Sequence, residues 1–295
     1  MEIRVLKYFL AIAREQSISK AAEYLHVSQP ALSKQIRELE DHLGTTLFIR
    51  GSRKITLTDD GLLLRRRAEQ IVELSDRTET EIIMGNTVLS GDVCIGCGET
   101  DGMRVIAKAI KEVQNIHPDI QFHLHSGNAD EIMELLEKGL IDFGVTIGDI
   151  DLSKYQSLLL PAQDRSGILM RRDSPLAAKD IITAKDLIGQ PLIISSQGLE
   201  KDKLPYYLIK DAPYHIVATY NLIYNASLLV REGVGYALGL DKLINTDHDD
   251  ELCFKPITPI SKDPISLIWK RFQHFSKPSQ FFLNTMQTML EGNSV

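Results

Sequence analysis

Four groups of residues in this 295-residue chain have types and spacings that could do chemistry. The first is Gln29, Pro30, Ser33, Lys34 and Arg37, just after Ser28. On a helix they share the face left over by the apolar positions Leu32, Ile36, Leu39 and Leu43. Short polar donors followed by cations are what a helix needs to read base edges in a DNA major groove. Arg50, Arg53 and Lys54 surround Gly51-Ser52, a hairpin-turn signal between two β-rich runs. Cations at a hairpin tip would meet phosphate or the minor groove. The second group is Cys94-x-x-Cys97. The third is His123 and His125, two apart and so on one face of a strand. The fourth is Glu99, Thr100 and Asp101, at a strand-to-helix junction.

The cysteines and histidines have a chemical and a plain reading. If one strand runs through Cys97, its side chain and that of Cys94 face opposite sides, ~10 Å apart. A disulfide needs Cα atoms roughly 4.4–6.8 Å apart. A turn at Gly96 would bring them closer. No second Cys pair or nearby His cluster completes a zinc site, and packing is the plain reading of the pair. The histidines have the same two readings, metal or strand packing.

Dense helix punctuation must position the first group. Leu6, Phe9, Leu10 and Ala13 follow helical spacing. Ser17 and Ser19 are candidate caps for a second helix with Ile18, Ala21, Ala22 and Leu25 inward. Ser28 caps a third, with Pro30 in its first turn and Gly44 as its stop. The short gap between the second and third helices is helix-turn-helix spacing, and the hairpin after them is a wing. Thr58 caps a long helix with Asp59 and Asp60 at its positive end, uninterrupted until Gly85-Asn86 and spanning ~40 Å. Leu64, Ala68, Ile71, Ser75, Thr78 and Ile82 recur every four and three residues, a heptad seam that predicts dimerisation.

From Gly91 strands alternate with helices. The pattern predicts strands at 93–96, 120–125, 143–147, 167–170, 192–195, 216–220, 236–240 and 266–270. Helices are predicted at 100–115, 129–138, 184–188, 223–232 and 279–290. This order predicts open, mostly parallel sheets, and Leu160-Pro161 suggests a break into two subdomains.

Charge supports the division. The net charge of −7 alone argues against a nucleic-acid binder. Residues 1–67, however, hold twelve Lys/Arg against eight Asp/Glu, and residues 68–295 hold twenty-one against thirty-two. A head at +4 joins a body at −11, asymmetry that points to nucleic-acid contact by one end. No apolar stretch reaches the ~18–20 residues of a membrane span. The charged N-terminus lacks a secretory pattern, which places the chain in the cytoplasm. No G-x-S-x-G, P-loop or dinucleotide fingerprint marks an enzyme, and Cys97 near Glu99 does not define a nucleophile and base. A solute-binding protein would be exported and would have no use for a wing.

The head reads Phe9-x-Ala-Ile-Ala, Ser17-Ile-Ser-Lys-Ala-Ala-Glu-Tyr-Leu25, Ser28-Gln-Pro-Ala-Leu-Ser33, Ile36, Leu39-Glu40, Leu43-Gly44, Leu47-Phe48, Arg50, Leu57-Thr58, Gly61. It closely resembles the LysR-type transcriptional regulators, densely over about sixty residues. The body matches more loosely and in order, through Gly96, Pro118, Leu136-x-x-Gly139-x-x-Asp142, Leu187 and Val230-x-x-Gly233-x-Gly235. The resemblance implies an N-terminal winged helix-turn-helix over residues 1–58, a dimerising linker helix over 59–88, and an α/β effector-binding domain over 89–295. That domain would have two subdomains like a periplasmic binding protein, the first from 89–161 and 266–295, the second from 162–265. The implied function is sequence-specific control of promoter transcription in response to a small-molecule effector. The implied partners are double-stranded promoter DNA, the effector, a second copy of the chain through the linker helix with tetramers beyond, and RNA polymerase. No other cofactor, metal or membrane is implied. The alternative is a regulator triggered by Cys94 and Cys97 instead of a metabolite.

By family position, Ser28, Gln29, Pro30, Ser33, Lys34 and Arg37 read or flank bases, and Arg50, Arg53 and Lys54 serve the wing. The effector cleft falls to Glu99, Thr100 and Asp101 after Gly98, then Ser126, Gly127 and Asn128, then Ser195, Ser196 and Gln197, and Asn221 and Asn225 beside Tyr220. These lie at strand ends, where open α/β sheets bind ligands. Many members hold carboxylate effectors there with hydroxyls and helix N-termini. Glu99 and Asp101 depart from that pattern. Either they only cap a helix or face solvent, or the effector is neutral or cationic.

Overall fold

The computed structural model describes residues 1–51, 54–83, 89–148, 151, 153–196, 208, 212–259 and 263–292, with the backbone alone at 50, 77 and 80–83. It divides into two compact units, Met1–Thr87 and Val88–Val295, each described by itself.

The first unit holds α1 (Ile3–Glu15), α2 (Ile18–Tyr24), α3 (Gln29–Leu43), β1 (Phe48–Arg50), β2 (Ile55–Leu57) and α4 (Asp59–Ile83). The Ser17 hydroxyl accepts the Lys20 N–H at 3.4 Å, and the Ser28 hydroxyl accepts the Ala31 N–H at 3.4 Å, so both serines cap helices. Ala21 and Ala22 let α2 approach closely, and Phe9, Leu32 and Ile36 fill the core between the three helices. Leu43, expected inside, is exposed. It is the last residue of α3, and Gly44 turns the chain away at φ +68°, a left-handed conformation that glycine adopts without strain.

β1 and β2 pair antiparallel, with Phe48 opposite Leu57 and Arg50 opposite Ile55. The Thr58 hydroxyl accepts the Gly61 N–H at 3.0 Å and starts α4. A Cβ at Gly61 would sit 2.2 Å from the Leu47 carbonyl oxygen, so α4 can pass this close to the wing only on a glycine. Ala68 is fully buried in the head core, with Leu64 and Val72 packed beside it, and Lys7 of α1 pairs with Asp76 at 2.6 Å. This corrects the heptad seam. Its first members, Leu64 and Ala68, face their own head, while Leu63, Ile71 and Leu74 remain exposed. The expected stop at Gly85-Asn86 lies outside the described residues.

The second unit contains two sheets. The first has the order β4 (Ile120–Ser126), β3 (Gly91–Cys97), β5 (Phe143–Ile147), β13 (Ile265–Lys270), β6 (Tyr155–Leu159). Helices α5 (Met103–Ile116) and α8 (Lys277–Gly292) cover one face through Ile106, Val113, Phe282 and Met286. Helix α6 (Ala129–Glu137) covers the other through Ile132 and Leu136. The second sheet has the order β10 (His215–Tyr220), β9 (Pro191–Ser195), β11 (Tyr236–Leu240), β7 (Ser166–Arg171), β12 (Leu252–Thr258), β8 (Ile182–Thr183). Helix α7 (Ile223–Arg231) lies on it through Ile223, Ala226 and Val230.

The sheets are mixed, which corrects the expectation of mostly parallel strands. β13 runs antiparallel to β5 and β6, and β7 antiparallel to β11 and β12. β6, β8 and β12 are not expected from the pattern. The first is a half-polar edge strand, the second has two residues, and the third carries Pro256, which removes a ladder donor. The expected helix at 184–188 is a single 3-10 turn, Ala184–Leu187. α5 starts three residues later than expected, because the Thr100 hydroxyl accepts the Gly102 N–H at 2.9 Å and holds a turn there.

Candidate nucleic-acid interface and effector cleft

On α3, Gln29, Pro30, Lys34 and Arg37 are exposed on the side opposite Leu32, Ile36 and Leu39. Lys34 makes only a loose 3.7 Å pair with Glu38, one turn on. Ser33 corrects the sequence reading. It is 5% exposed, at the margin of the buried face beside Ile36, and so is not part of the solvent face. Ser28 is exposed, with its hydroxyl engaged as the cap.

The wing is tied to α3 by one carboxylate. Glu40 Oε1 accepts the N–H groups of Leu47 at 2.7 Å and Phe48 at 3.3 Å. Glu40→Ala would strand both donors and free the wing from α3. Hydrogen bonds to a charged group are worth about 1.5–3 kcal/mol. A loss of that size in chemical denaturation of the head is expected, with weaker DNA retention. Lys54 is exposed, and its carbonyl accepts the Gly51 N–H at 3.1 Å to close the hairpin. Arg50 closes β1; Arg53 lies outside the described residues.

In the second unit, Glu99, Thr100 and Asp101 follow the end of β3, and their contacts reach the second sheet. Glu99 Oε2 accepts the N–H of Ile223, the first residue of α7, at 2.5 Å. No side chain of its own caps that helix. Thr100 is buried. Asp101 bonds to Arg104 Nε at 2.6 Å and lies 3.5 Å from Lys242 Nζ. The Arg104 bond, then the Lys242 charge, hold its carboxyl below the usual carboxylate range. The Asp101 N–H donates to Asp164 Oδ1 at 3.3 Å.

Among the described residues, most of the other expected cleft residues lie at strand ends or helix starts. Ser126 ends β4. Asn128 caps α6, accepting the Glu131 N–H at 2.9 Å while Glu131 accepts the Asn128 N–H at 3.0 Å; Gly127 is buried beside them. Ser195 ends β9, with Ser196 exposed after it; Gln197 lies outside the described residues. Asn221 and Asn225 are exposed at the start of α7. The cap from Asn128 was not expected; Glu99 does cap a helix, as one of its two readings had it, and that helix is α7 rather than α5.

Two family models match this architecture: the bacterial regulatory helix-turn-helix protein, lysR family, over residues 3–62, and the LysR substrate binding domain over residues 86–291. The chain belongs to the LysR family. It is a DNA-binding transcriptional regulator with an effector-binding domain, not an enzyme. The HTH-type transcriptional regulator BsdA of Bacillus subtilis is 34% identical over 298 residues, covering 96% of this chain and 99% of BsdA. The uncharacterized HTH-type transcriptional regulator YfeR of Shigella flexneri is 26% identical over 297 residues, covering 99% and 95%. Full-length CbnR, solved in complex with its target DNA, superposes with a TM-score of 0.71 at 21% identity, covering 98% of this chain and 99% of CbnR. That likeness is one of fold.

Within this LysR chain the cysteine pair has no route to a disulfide. β3 runs unbroken through Cys97, paired residue by residue with β4 from Gly91 to Cys97. Cys94 packs with Ile132 and Leu136 on one face, and Cys97 with Ile106 and Val113 on the other. Burial pushes the Cys97 thiol up, away from the reactive thiolate. Diamide treatment is therefore expected to leave the intact mass and DNA retention unchanged; an intramolecular Cys94–Cys97 crosslink in the mass spectrum would contradict this. His123 pairs with Asp92 at 3.0 Å, and among the described residues no group of three or more His, Cys, Asp or Glu could hold a metal ion. No helix among them is long and apolar enough to cross a membrane.

Asp164, Thr146 and Lys242 escaped the reading of the sequence. Asp164 sits in the connection between the sheets, 7% exposed, and burial pushes its carboxyl up. Thr146 is buried near the end of β5. Only the nearby end of β5, one residue after Thr146, could have signalled it; an acid in a connection or a lysine after a strand carries no pattern.

Proposed function

We propose that this LysR regulator reads promoter DNA with α3, braces it with the wing, and changes its promoter occupancy when a small molecule binds between the two sheets of its second unit. The observation that carries this reading is the exposed Gln29, Pro30, Lys34 and Arg37 face beside a cation-bearing hairpin, on a head that gathers positive charge in an acidic chain. Gln29 and Arg37 have donors suited to base edges, and Lys34, Arg50, Arg53 and Lys54 suit phosphate.

The chain pairs with a second copy through α4. Leu63, Ile71 and Leu74 support this, because they are exposed and fall within about 80° of one another around the helix. A symmetric dimer presents two heads to two half-sites. Assembly into a tetramer, a contact with RNA polymerase and a cytoplasmic location belong to the same reading, as does a role for Ser126, Ser195, Asn221 and Asn225 in lining the cleft. The experiment is footprinting of a promoter by the full-length protein, with light scattering on the same sample. A footprint of two half-sites from a dimer or larger assembly is expected. A monomer protecting a single site would refute the pairing.

A further inference from the structure

We propose that the cleft supplies its own anion and takes a cation: Glu99 fills the carboxylate seat at the N-terminus of α7, and Asp164 receives the ammonium group of a small amine-bearing effector. This rests on the effector-cleft reading above and names the chemistry of its ligand.

The first half follows from the Glu99 contact. The N-terminus of a helix offers unpaired N–H groups and a positive dipole end, a seat for a ligand carboxylate. Here Glu99, 124 residues away in the chain, occupies it at 2.5 Å from the Ile223 nitrogen. An incoming plain carboxylate must displace a tethered one and meets its repulsion.

The second half follows from what remains unsatisfied. Asp101 is already balanced by Arg104 and Lys242. Asp164 meets the Asp101 N–H, the Thr100 hydroxyl and the more distant Lys242 charge, and its buried Oδ2 has no hydrogen-bond partner among the described residues. Thr146 Oγ1, buried in the strand whose Val145 carbonyl accepts the Gly98 N–H, has none there either. Buried polar atoms are nearly always paired, so Asp164 Oδ2 points to an absent donor. A metal would require several converging oxygen or nitrogen ligands, and no such group exists among the described residues. An ammonium group needs only Asp164 and the Thr100 hydroxyl beside it, and its charge answers the carboxylate.

The test uses full-length protein and three small probes at constant ionic strength: ethylammonium, propionate and acetamide, with binding read from thermal shift and titration. The wild type is expected to respond to ethylammonium above the other two. Glu99→Ala should empty the seat and gain propionate binding about tenfold tighter than the wild type, while the isosteric Glu99→Gln, which keeps the seat filled, should not. Asp164→Asn, which preserves shape, should weaken the ethylammonium response by about tenfold. Propionate binding equally to the wild type and Glu99→Ala would overturn the assignment of Glu99. An ethylammonium response that is absent from the wild type, matched by acetamide or unchanged in Asp164→Asn would overturn that of Asp164. A promoter gel shift on the same wild-type sample separates the two levels: its loss refutes the regulator reading, and its retention leaves any failure with the ligand assignment.

Discussion

Replacing Gln29 with alanine is expected to lower discrimination between a cognate promoter and random DNA by about 1–3 kcal/mol, a factor of roughly 5 to 150, and to leave affinity for random DNA nearly unchanged. Gln29 is exposed in the first turn of α3, where a helix in the major groove meets base edges, and its amide can both donate and accept. Lys34→Ala should behave differently. A phosphate contact carries no sequence information, so both affinities should fall together and the slope of log affinity against log salt should flatten by about 1. Competition titrations at several salt concentrations measure both. Ser33→Ala does not test base reading, because that side chain is buried; its first effect is on the packing of α3.

Phe9→Ala should cost the head about 3–5 kcal/mol, much of what a domain this small has. The ring is fully buried in the head core and lies 5.1 Å from the Phe48 ring, the first residue of the wing. Losing it opens a cavity under α3 and the wing at once. Specific DNA retention should vanish near 37 °C. The second unit, with its own cores around Phe143, Phe282 and Trp269 and around Ile193 and Val230, should melt as in the wild type. Calorimetry that resolved no change in the head transition would contradict this.

The head was legible in the sequence because each of its elements is marked locally. Ser17, Ser28 and Thr58 announce helix starts, Gly44 a stop, and apolar residues at helical spacing the buried faces. Ser33 and Leu43 were misplaced for one physical reason: periodicity assigns a side, and burial at the margins of that side depends on which neighbour packs there. The seam on α4 failed in the same way, since Leu64 and Ala68 were claimed by a core that spacing alone does not reveal. In the second unit, buried central strands such as Phe143–Ile147 were readable as apolar runs. Strand direction was not, because it depends on where the chain returns. The strand ends were readable from the alternation of strands and helices, whereas their assignment to an effector cleft rests on the family resemblance. The bond from Glu99 to Ile223 and the buried Asp164 are long-range facts with no local mark.

The −7 net charge, which alone argues against DNA, is compatible with it once resolved along the chain. An acidic second unit repels DNA and leaves the basic head as the favourable contact. The most direct test is to sequence the DNA fragments retained by purified full-length protein from a random pool, with Gln29→Ala/Arg37→Ala in parallel. A shared site made of two related half-sites spaced by about 10 base pairs or a multiple is expected, strongly enriched by the wild type and lost in the double variant. Retention of unrelated sequences, or the same enrichment from the double variant, would contradict it.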